Sequence, residues 1–471
     1  RRTFVDGCPA HFKCCVSADG EHLEVMSSKT EHNHPVSKAT YEQLPKQRAL
    51  PEEVKGEVQE LLKLKANKKL IKQKIQQETG RVVLLKDLSN LASSLKPPTK
   101  NDLQETVEML QRDYGSDCHV LVSDNQFQGL LISTASMRGT MAAYPEFLGI
   151  DATYKLLDLR TPVYVIRNED SNGSTEVVCI AILVREDACS LRWLLEKFQE
   201  LNPSWVRTRC IMADKDLLER DVLKRCFPEA HVLICVFHTL KTFRREISCT
   251  KLGITAFQRD HALQLLQRMV HARSDDEFFK IESQLDATAP AQVLQYYGKN
   301  WRNMKDEWYT GPQFSVGSFN NTTNNRLESI NAKLKSVVPL YCTLEQFVPA
   351  LFSVLKTLQE ERDHLAADSV YKRPAQLEDE EHLQQYQRRL TGYAFPFLKK
   401  QEELSKSVDV REDNQGQYHC QSRSGETVTT TASCSCSFRL SMMLPCRHIL
   451  AVRRSKGLSL YEEGLYSQRW S

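Results

Sequence analysis

Strand-like and helix-like segments alternate between residues 118 and 240 of the chain. Three apolar segments separated by turn residues predict consecutive strands at 147–157, 161–170 and 175–186. The segments that follow predict, in order, a helix, a strand, a helix and a strand at 190–201, 207–216, 217–227 and 231–238. This order predicts an α/β fold in which a mixed sheet is covered by helices.

A lysine-bearing helical pattern precedes the α/β region, between residues 51 and 98. Four lysines recur at helical spacing on one face, at Lys65, Lys68, Lys69 and Lys72. Gly80 ends this helix, and a second helix marked by spaced leucines ends before Pro97. The pattern predicts a basic helical hairpin whose lysines contact DNA phosphates. An ordinary packing helix with a solvated lysine face is the alternative.

A chain of 471 residues is long for one hydrophobic core, so we expect several domains. The predicted division is a partial zinc finger at 1–36, a basic helical hairpin at 51–98, an α/β domain at 101–360 with a helical insertion at about 240–315, a helical or flexible linker at 361–415, a second zinc module at 416–455 and a tail at 456–471.

Four soft metal ligands lie close together near the end of the chain. They form a Cys-x-Cys pair and, nine residues later, a Cys-x-His pair, at Cys434, Cys436, Cys446 and His448. Zinc without an open coordination position takes four thiolate or imidazole ligands at tetrahedral corners, and two short pairs joined by a loop supply them. The array therefore predicts a structural zinc site. A cluster of buried free cysteines is the alternative.

A second set of zinc-type ligands lies at the beginning of the chain. Cys8 precedes a predicted strand hairpin, and His32 and His34 follow it one residue apart. Zinc needs a fourth ligand. Cys14 or Cys15 could substitute for it, and solvated surface histidines are the alternative interpretation.

Composition sets few limits on the binding partners. Lysine plus arginine number 63 and aspartate plus glutamate 60, so the net charge of +3 creates no strong overall field, and polyanion binding must come from local patches. The 15 cysteines lie in apolar segments or ligand pairs, which favours a reducing compartment. The longest apolar run, Val177 to Val184, is far shorter than a membrane span, so we expect an intracellular protein without membrane contact. Because the chain opens with Arg1, we expect further residues upstream.

Three carboxylates are candidates for a divalent metal site. Asp151 lies within a predicted strand, Asp214 closes another, and Glu328 lies near the start of a predicted helix. Phosphoryl transfer by two metal ions needs carboxylates that converge at neighbouring strand ends, because Mg²⁺ and Mn²⁺ prefer oxygen ligands. Spacing alone is a weak signal, since acidic residues are common at strand ends.

The C-terminal array resembles the SWIM zinc finger, whose Cys-x-Cys, loop, Cys-x-His pattern it matches at all four positions. The N-terminal Cys, hairpin and His-x-His arrangement resembles the WRKY and far-red-impaired type of finger, whose first cysteine would lie upstream of Arg1. SWIM fingers occur beside Mutator-like transposase domains, so the resemblance directs attention to the α/β region.

That region resembles the Mutator-like DDE transposases, which have a ribonuclease H-like core. The matching segments are, in order, GIDATYK, MADKD, ICVFHTLK and NNRLESINAKLK. The resemblance implies that Asp151, Asp214 and Glu328 hold Mg²⁺ or Mn²⁺, and it matches Cys235 and His238 to a Cys-x-x-His element for which we expect a structural role. One departure is Lys215, directly after the second aspartate, which could pair with a phosphate or disturb the site.

The resemblances imply a transposase-derived, zinc-binding nuclear protein that binds DNA and acts in DNA recognition or transcriptional regulation in a host. An active DDE transposase that cuts and joins DNA with two divalent ions is the alternative. A second alternative is an adaptor that binds protein partners through the SWIM finger. A homo-oligomer is compatible with each of these.

Overall fold

The computed structural model of the chain describes residues 7–63, 66–95, 103–319, 321, 325–371, 378–413, 417–422 and 425–471, without the side chains of residues 63, 217, 325–329, 369–370 and 422. Contacts divide the chain into two units, Arg1–Thr99 and Lys100–Ser471. Among the described residues, no helix combines the length and apolar character that crossing a membrane requires.

The first unit begins with an antiparallel hairpin of strands β1 (His11–Val16) and β2 (Leu23–Lys29). Its turn passes through Gly20, whose φ of +77° is a conformation that glycine adopts without a steric cost. Four helices follow: α1 (Lys38–Glu42), α2 (Glu52–Lys63), α3 (Lys68–Thr79) and α4 (Leu85–Ser94).

Helices α2, α3 and α4 share one small core. Each of them packs on the other two, and their common buried side chains are Val58, Leu62, Ile71, Ile75, Val83 and Leu88. The pattern at 51–98 predicted a two-helix hairpin, but the structure has three helices, because the first predicted helix is divided into α2 and α3. A third helix lets the apolar face of each helix be covered by the other two.

Seven strands form the central sheet of the second unit. They are β3 (Ser116–Ser123), β4 (Gln126–Thr134), β5 (Phe147–Thr153), β6 (Val163–Glu169), β7 (Thr175–Leu183), β8 (Cys210–Ala213) and β9 (His231–Ile234). Their order across the sheet is β3-β4-β7-β6-β5-β8-β9. The pairs from β3 to β5 are antiparallel, whereas β5, β8 and β9 run parallel. The predicted mixed α/β sheet is therefore confirmed, and a further hairpin, β3 and β4, extends it.

Helices cover both faces of the sheet. The covering helices are α5 (Leu103–Tyr114), α6 (Ala135–Ala143), α7 (Ala188–Leu201) and α8 (Leu217–Cys226). Helices α7 and α8 pack on one face, with Leu194, Phe198 and Leu223 among their buried side chains. Helix α5 packs on the opposite face of the sheet, against side chains of β4, β6 and β7.

A helical insertion follows β9 and has a core of its own. Its helices are α9 (Val236–Glu246), α10 (Cys249–Leu252), α11 (Ala256–Val270), α12 (Asp275–Thr288), α13 (Ala291–Asn300), α14 (Lys305–Trp308) and α15 (Thr310–Gln313). Trp301 and Trp308 are fully buried there and contact the ring of Phe243. Two further helices, α16 (Asn325–Val337) and α17 (Leu344–Tyr371), then return to the sheet and pack beside α5.

The last part of the chain packs on the β5, β8 and β9 half of the sheet. It contains α18 (Glu381–Arg389), α19 (Phe395–Ser405), a small sheet of β10 (Asp409–Glu412), β11 (Tyr418–Ser422) and β12 (Gly425–Thr429), and then α20 (Ser437–Met442) and α21 (Arg447–Ser455). Met212 and Leu233 of the central sheet share one cluster with Leu398, Met442 and Leu450. The C-terminal module is thus built onto the sheet.

The final residues of the chain fasten this module to the sheet. Trp470 is fully buried, and its Nε1–H donates to the carbonyl of Met442 at 2.6 Å. The neighbouring Arg469 donates to a carboxylate oxygen of Glu146 at 2.7 Å and to the carbonyl of Glu169 at 2.8 Å. The segment predicted as a tail therefore fills the space between the C-terminal module and the ends of β5 and β6.

A buried arginine in the central sheet lies against a glycine of the neighbouring strand. Gly149 of β5 pairs directly with Arg167 of β6. A Cβ atom at Gly149 would lie 2.6 Å from Nε of that arginine, so any larger residue there would collide with a side chain that is itself fully buried. Glycine at this position leaves room for the Arg167 side chain to lie against β5, over the ring of Phe147.

Candidate functional site

Four zinc-type ligands converge in the C-terminal module. Cys434 and Cys436 follow β12, Cys446 caps α21, and His448 lies in the first turn of that helix. Their ligand atoms all lie within 4.8 Å of one another. The His448 Nδ1 atom is 3.5 Å from the sulfur of Cys434 and 3.9 Å from that of Cys446. Zinc at its usual bond lengths separates a tetrahedral sulfur and nitrogen by about 3.6 Å, so the group fits one zinc ion.

Because this ligand group is largely buried, its thiols need a bound cation to be charged together. Burial raises the pKa of the Cys446 thiol, whereas hydrogen bonds from the Cys436 and Cys446 thiols lower the pKa of Cys434. The backbone N–H of Cys436 also donates to the Cys434 sulfur at 3.4 Å. Three thiolates so close together need a cation, and zinc binding would release the remaining protons.

The N-terminal candidate ligands also lie together, on the exposed hairpin. Cys8, His32 and His34 have ligand atoms within 4.8 Å of one another. The Cys8 sulfur is 3.4 Å from Nδ1 of His32, which is 3.3 Å from Nε2 of His34. Backbone N–H groups of Asn33 and Ala10 lower the pKa of Cys8, which favours its thiolate. The alternative ligands Cys14 and Cys15 lie on β1 outside this group.

Two of the three candidate carboxylates lie side by side on neighbouring parallel strands. The pairing of β5 with β8 joins Phe147 to Cys210 and Gly149 to Met212, and the same offset places Asp151 level with Asp214. Burial and the charge of Asp214 raise the pKa of Asp151 to about 6. Two neighbouring carboxylates of which one is desolvated are an arrangement that a divalent cation stabilises.

Asp151 is also held by the helix that carries the third candidate. The side-chain N–H of Asn331, in α16, donates to Oδ2 of Asp151 at 2.6 Å. Glu328 lies three residues earlier in the same helix, a spacing that places two residues on one helix face. The side chain of Glu328 lies outside the described residues. The structure therefore places α16 against Asp151. The position of the Glu328 carboxylate in this site stays a prediction.

The Cys-x-x-His element lies directly beside Asp214. The pairing of β8 with β9 continues to Cys235, level with Asp214, and His238 lies in the first turn of α9. The imidazole Nδ1 of His238 forms an ion pair with Oδ1 of Asp214. This contact raises the pKa of His238 to about 10, so the imidazole is protonated at neutral pH. A positive charge thus already stands beside the acid pair.

Lys215 does not join this arrangement. Its ammonium lies 3.6 Å from the ring centroid of Trp301 in the helical insertion, a cation–π contact. Burial lowers the pKa of Lys215 to about 8. The structure therefore assigns this lysine to packing between β8 and the insertion, away from the residues that line the acid pocket.

Further acidic residues surround the pair, and the sequence pattern did not identify Glu186 or Glu219 among them. A cavity of about 170 Å³ is lined by Asp151, Asp214, Asp216, Glu186 and Glu219, with Tyr154 and Tyr164. Both tyrosines donate their hydroxyl hydrogen to the same oxygen of Glu186, at 2.6 and 3.0 Å. Burial and the nearby aspartates raise the pKa of Glu219 to about 8. The sequence signal that could have identified Glu219 is its position in the first turn of α8, shortly after the strand that leads to Asp214.

The predicted lysine surface is described in part. Lys68, Lys69 and Lys72 lie on α3, each at least partly exposed, and Lys65 lies outside the described residues. Lys68 donates to the hydroxyl of Ser89 in α4 at 3.0 Å. The described part of the lysine surface is therefore continuous with α4.

A further cluster of metal-type ligands was not identified from the sequence. Glu380, His382 and Glu402 have ligand atoms within 4.8 Å of one another. Arg454 and Lys406 form ion pairs with Glu402 at 2.6 and 3.4 Å. These cations supply the positive charge that the acidic groups require, so the cluster is a salt-bridge network between α18, α19 and α21.

Comparison with known proteins identifies two parts of the chain. Residues 107–233 match the family model described as zinc finger SWIM domain-containing protein 1/3, RNaseH-like domain. Residues 413–455 match the SWIM zinc finger. The predicted ribonuclease H-like fold and the SWIM zinc finger are confirmed. The Mutator-like assignment and the WRKY-like or far-red-impaired-like finger stay predictions.

Among solved structures, the chain is similar to a chain of the Drosophila P element transposase strand transfer complex. The sequence identity is 13%, the match covers 63% of this chain and 80% of that chain, and the TM-score is 0.21. A similarity of this size carries no argument about fold or function.

Proposed function

We propose that this protein is a transposase-derived, zinc-binding protein that binds DNA in the nucleus and acts in DNA recognition or transcriptional regulation. The observation that carries the proposal is that Asp151 of β5 and Asp214, directly after the neighbouring strand β8, line one cavity of a ribonuclease H-like domain. Carboxylates in this position can bind a divalent cation, and a bound divalent cation can bind a phosphodiester. A polymer of phosphodiesters is therefore the ligand class that this arrangement favours.

The position of the SWIM finger supports the same proposal. The finger shares a hydrophobic cluster with β8 and β9, and these strands lead to Asp214 and Cys235. A nucleic acid held by the finger would therefore be held by the unit that contains the acid pair. The zinc ion contributes by keeping the finger folded, which is the usual part that a four-ligand zinc plays.

Duplex binding by the full chain is the experiment that tests the proposal. We expect fluorescence anisotropy with a labelled duplex to give an affinity that falls linearly, on logarithmic axes, as salt increases, because lysine and arginine contacts release counterions. Chelation of zinc should weaken binding. A chain that binds no duplex but binds a protein partner through the finger would overturn the proposal in favour of an adaptor.

Metal-dependent cleavage of DNA is a second candidate function, favoured by the position of the partly buried Asp151 beside Asp214. In this function, Asp151, Asp214 and Glu328 would hold Mg²⁺ or Mn²⁺, and the chemistry that such ions would supply is activation of a water molecule or a 3′ hydroxyl. Asn331 would orient Asp151 through its 2.6 Å hydrogen bond. His238 would hold a proton beside Asp214 through their ion pair.

A strand-nicking assay separates the two functions. The full chain is incubated with supercoiled plasmid in Mn²⁺, in Mg²⁺ and in chelator. If this site cleaves DNA, Asp151→Asn should abolish metal-dependent nicking. Asp276→Asn, which changes an exposed acidic residue in the helical insertion, should leave nicking unchanged. Equal nicking by wild type and Asp151→Asn would show that this site is not catalytic, and the DNA-binding proposal would stand on its own test.

A further inference from the structure

Helices α3 and α4 of the first unit are joined by a short turn and pack against a third helix, α2. Helices α3 and α4 are joined by residues 80–84. Gly80 ends α3 with a φ of +66°, and Val83 is fully buried among the three helices. Two helices joined by a short, glycine-containing turn and braced by a third are the arrangement of a helix-turn-helix, in which the second helix enters the major groove.

Helix α4 has the two faces that such a recognition helix needs. Leu88 is fully buried, and Leu91, Ala92 and Leu95 pack beside it. The opposite face carries Lys86, Asn90 and Ser93, all exposed, at positions i, i+4 and i+7. Lysine, asparagine and serine are side chains that hydrogen-bond to base edges, and asparagine can bind adenine through two hydrogen bonds.

The start of α4 is fixed in place. The carboxylate of Asp87 accepts the backbone N–H of Leu84 at 3.0 Å. The guanidinium of Arg48 donates to the same carboxylate at 2.7 Å. The only acidic side chain of α4 is thus both a helix cap and part of an ion pair, and its charge does not oppose a phosphate.

The charges on α3 and α4 complement a polyanion. Lys74 forms ion pairs with Glu57 and Glu78. Across the described residues, the salt bridges include no partner for Lys69, Lys72 or Lys86, and the contact of Lys68 is to the hydroxyl of Ser89 in α4. Positive charge therefore remains along α3 and at the beginning of α4, and the Lys68–Ser89 contact joins the two helices. In a helix-turn-helix the first helix crosses the DNA backbone, which is where these lysines belong.

We infer that α3 and α4 form a helix-turn-helix in which Lys86 and Asn90 of α4 read base edges in the major groove of duplex DNA, while Lys68, Lys69 and Lys72 of α3 bind phosphates. The inference rests on the proposed DNA-binding function and deepens it, because it assigns sequence recognition to α4. The lysine helix singled out in the sequence then supplies affinity, and the following helix supplies specificity.

The test uses the full chain and a pool of duplexes with a randomised core. Wild type is used to select a preferred sequence, and its affinity for that sequence is compared with its affinity for the unselected pool. We expect Asn90→Ala to weaken binding to the selected sequence about 5- to 150-fold, with little effect on the pool. Lys69→Ala should weaken both equally and lower the salt slope by about one.

Two matched controls lie on the same three helices. Gln77→Ala removes an exposed amide from α3, and Lys55→Ala removes a lysine from α2 that is ion-paired with Glu52. Each variant must unfold at the wild-type temperature. If wild type binds duplex but Asn90→Ala and Lys86→Ala bind the selected sequence as these controls do, the helix-turn-helix inference is overturned and the DNA-binding proposal stands. If wild type binds no duplex, both are overturned.

Discussion

Replacement of Trp470 by alanine should destabilise the whole second unit, although the residue lies next to the end of the chain. The indole ring is fully buried in the cluster that joins the SWIM finger to β5, β8 and β9. It also contacts the rings of Phe319 and Tyr393. Its removal would leave a cavity whose walls include residues from the central sheet.

The expected loss follows from these contacts. Truncation of a buried tryptophan to alanine costs about 3–5 kcal/mol, and the loss of its hydrogen bond leaves the carbonyl of Met442 without that donor. For a unit of this size, about 4 kcal/mol lowers the midpoint of thermal unfolding by roughly 5 °C. Trp470→Phe should lose less, because it keeps most of the buried apolar surface.

Urea and thermal unfolding measured by circular dichroism, together with the rate of zinc release to a coloured chelator, would test this reasoning. Leu458→Ala is the control, since Leu458 lies in the same terminal segment but is 44% exposed. Its effect should stay within about 0.5 kcal/mol. Equal unfolding midpoints for Trp470→Ala and Leu458→Ala would refute the claim that the terminal segment fastens the finger to the sheet.

Three further substitutions test other parts of the structure. Gly149→Ala should destabilise the sheet by about 1–3 kcal/mol in urea unfolding, because its Cβ collides with the buried guanidinium of Arg167. Gly139→Ala, which has open space around it in α6, should be neutral or stabilising. Equal effects of the two substitutions would contradict the contact between Gly149 and Arg167. Burial raises the pKa of Glu176 from 4.5 to about 7, so its protonation stabilises the fold fully below pH 4.5 and this contribution is lost as the pH rises through about 7. Glu176→Gln should therefore remove roughly 2–3 kcal/mol of this pH dependence in unfolding measured from pH 4 to 8, and an unchanged profile would exclude this assignment. Cys446→Ser should lower the zinc content measured by mass spectrometry, while Cys179→Ser, a buried thiol in the central sheet, should not, and equal zinc content would place the ion elsewhere.

The sequence predicted those parts of the site that depend on local pattern. The Cys-x-Cys and Cys-x-His pairs identified the finger because each pair already lies within three residues of chain. Asp151 and Asp214 were predicted from strand ends, and their meeting depends on one pairing, that of β5 with β8. The regular alternation of strands and helices limited that pairing to few possibilities, so the α/β fold could be predicted from the sequence.

Long-range packing explains what the sequence did not predict. Glu186 joins the acid cavity through hydrogen bonds from two tyrosines on other elements, and no local spacing encodes such a contact. Residues 456–471 have the composition of an exposed tail, yet Arg469 is buried, and its terminal guanidinium N–H groups donate to Glu146 and to two backbone carbonyls. A sequence pattern reports which side chains prefer burial, whereas the partner that permits the burial of a charge is distant in the chain.

The attachment of the SWIM finger to the sheet bears on how the protein could be dissected. Met212 and Leu233 rely on the finger and on α19 for cover. A shortened product that stops before residue 413 would keep α19 but lose the part of this cover that the finger supplies, and exposed apolar surfaces promote aggregation. Truncated proteins that contain only the ribonuclease H-like part should therefore accumulate poorly in cells. The intact finger is then required for that part to stay soluble.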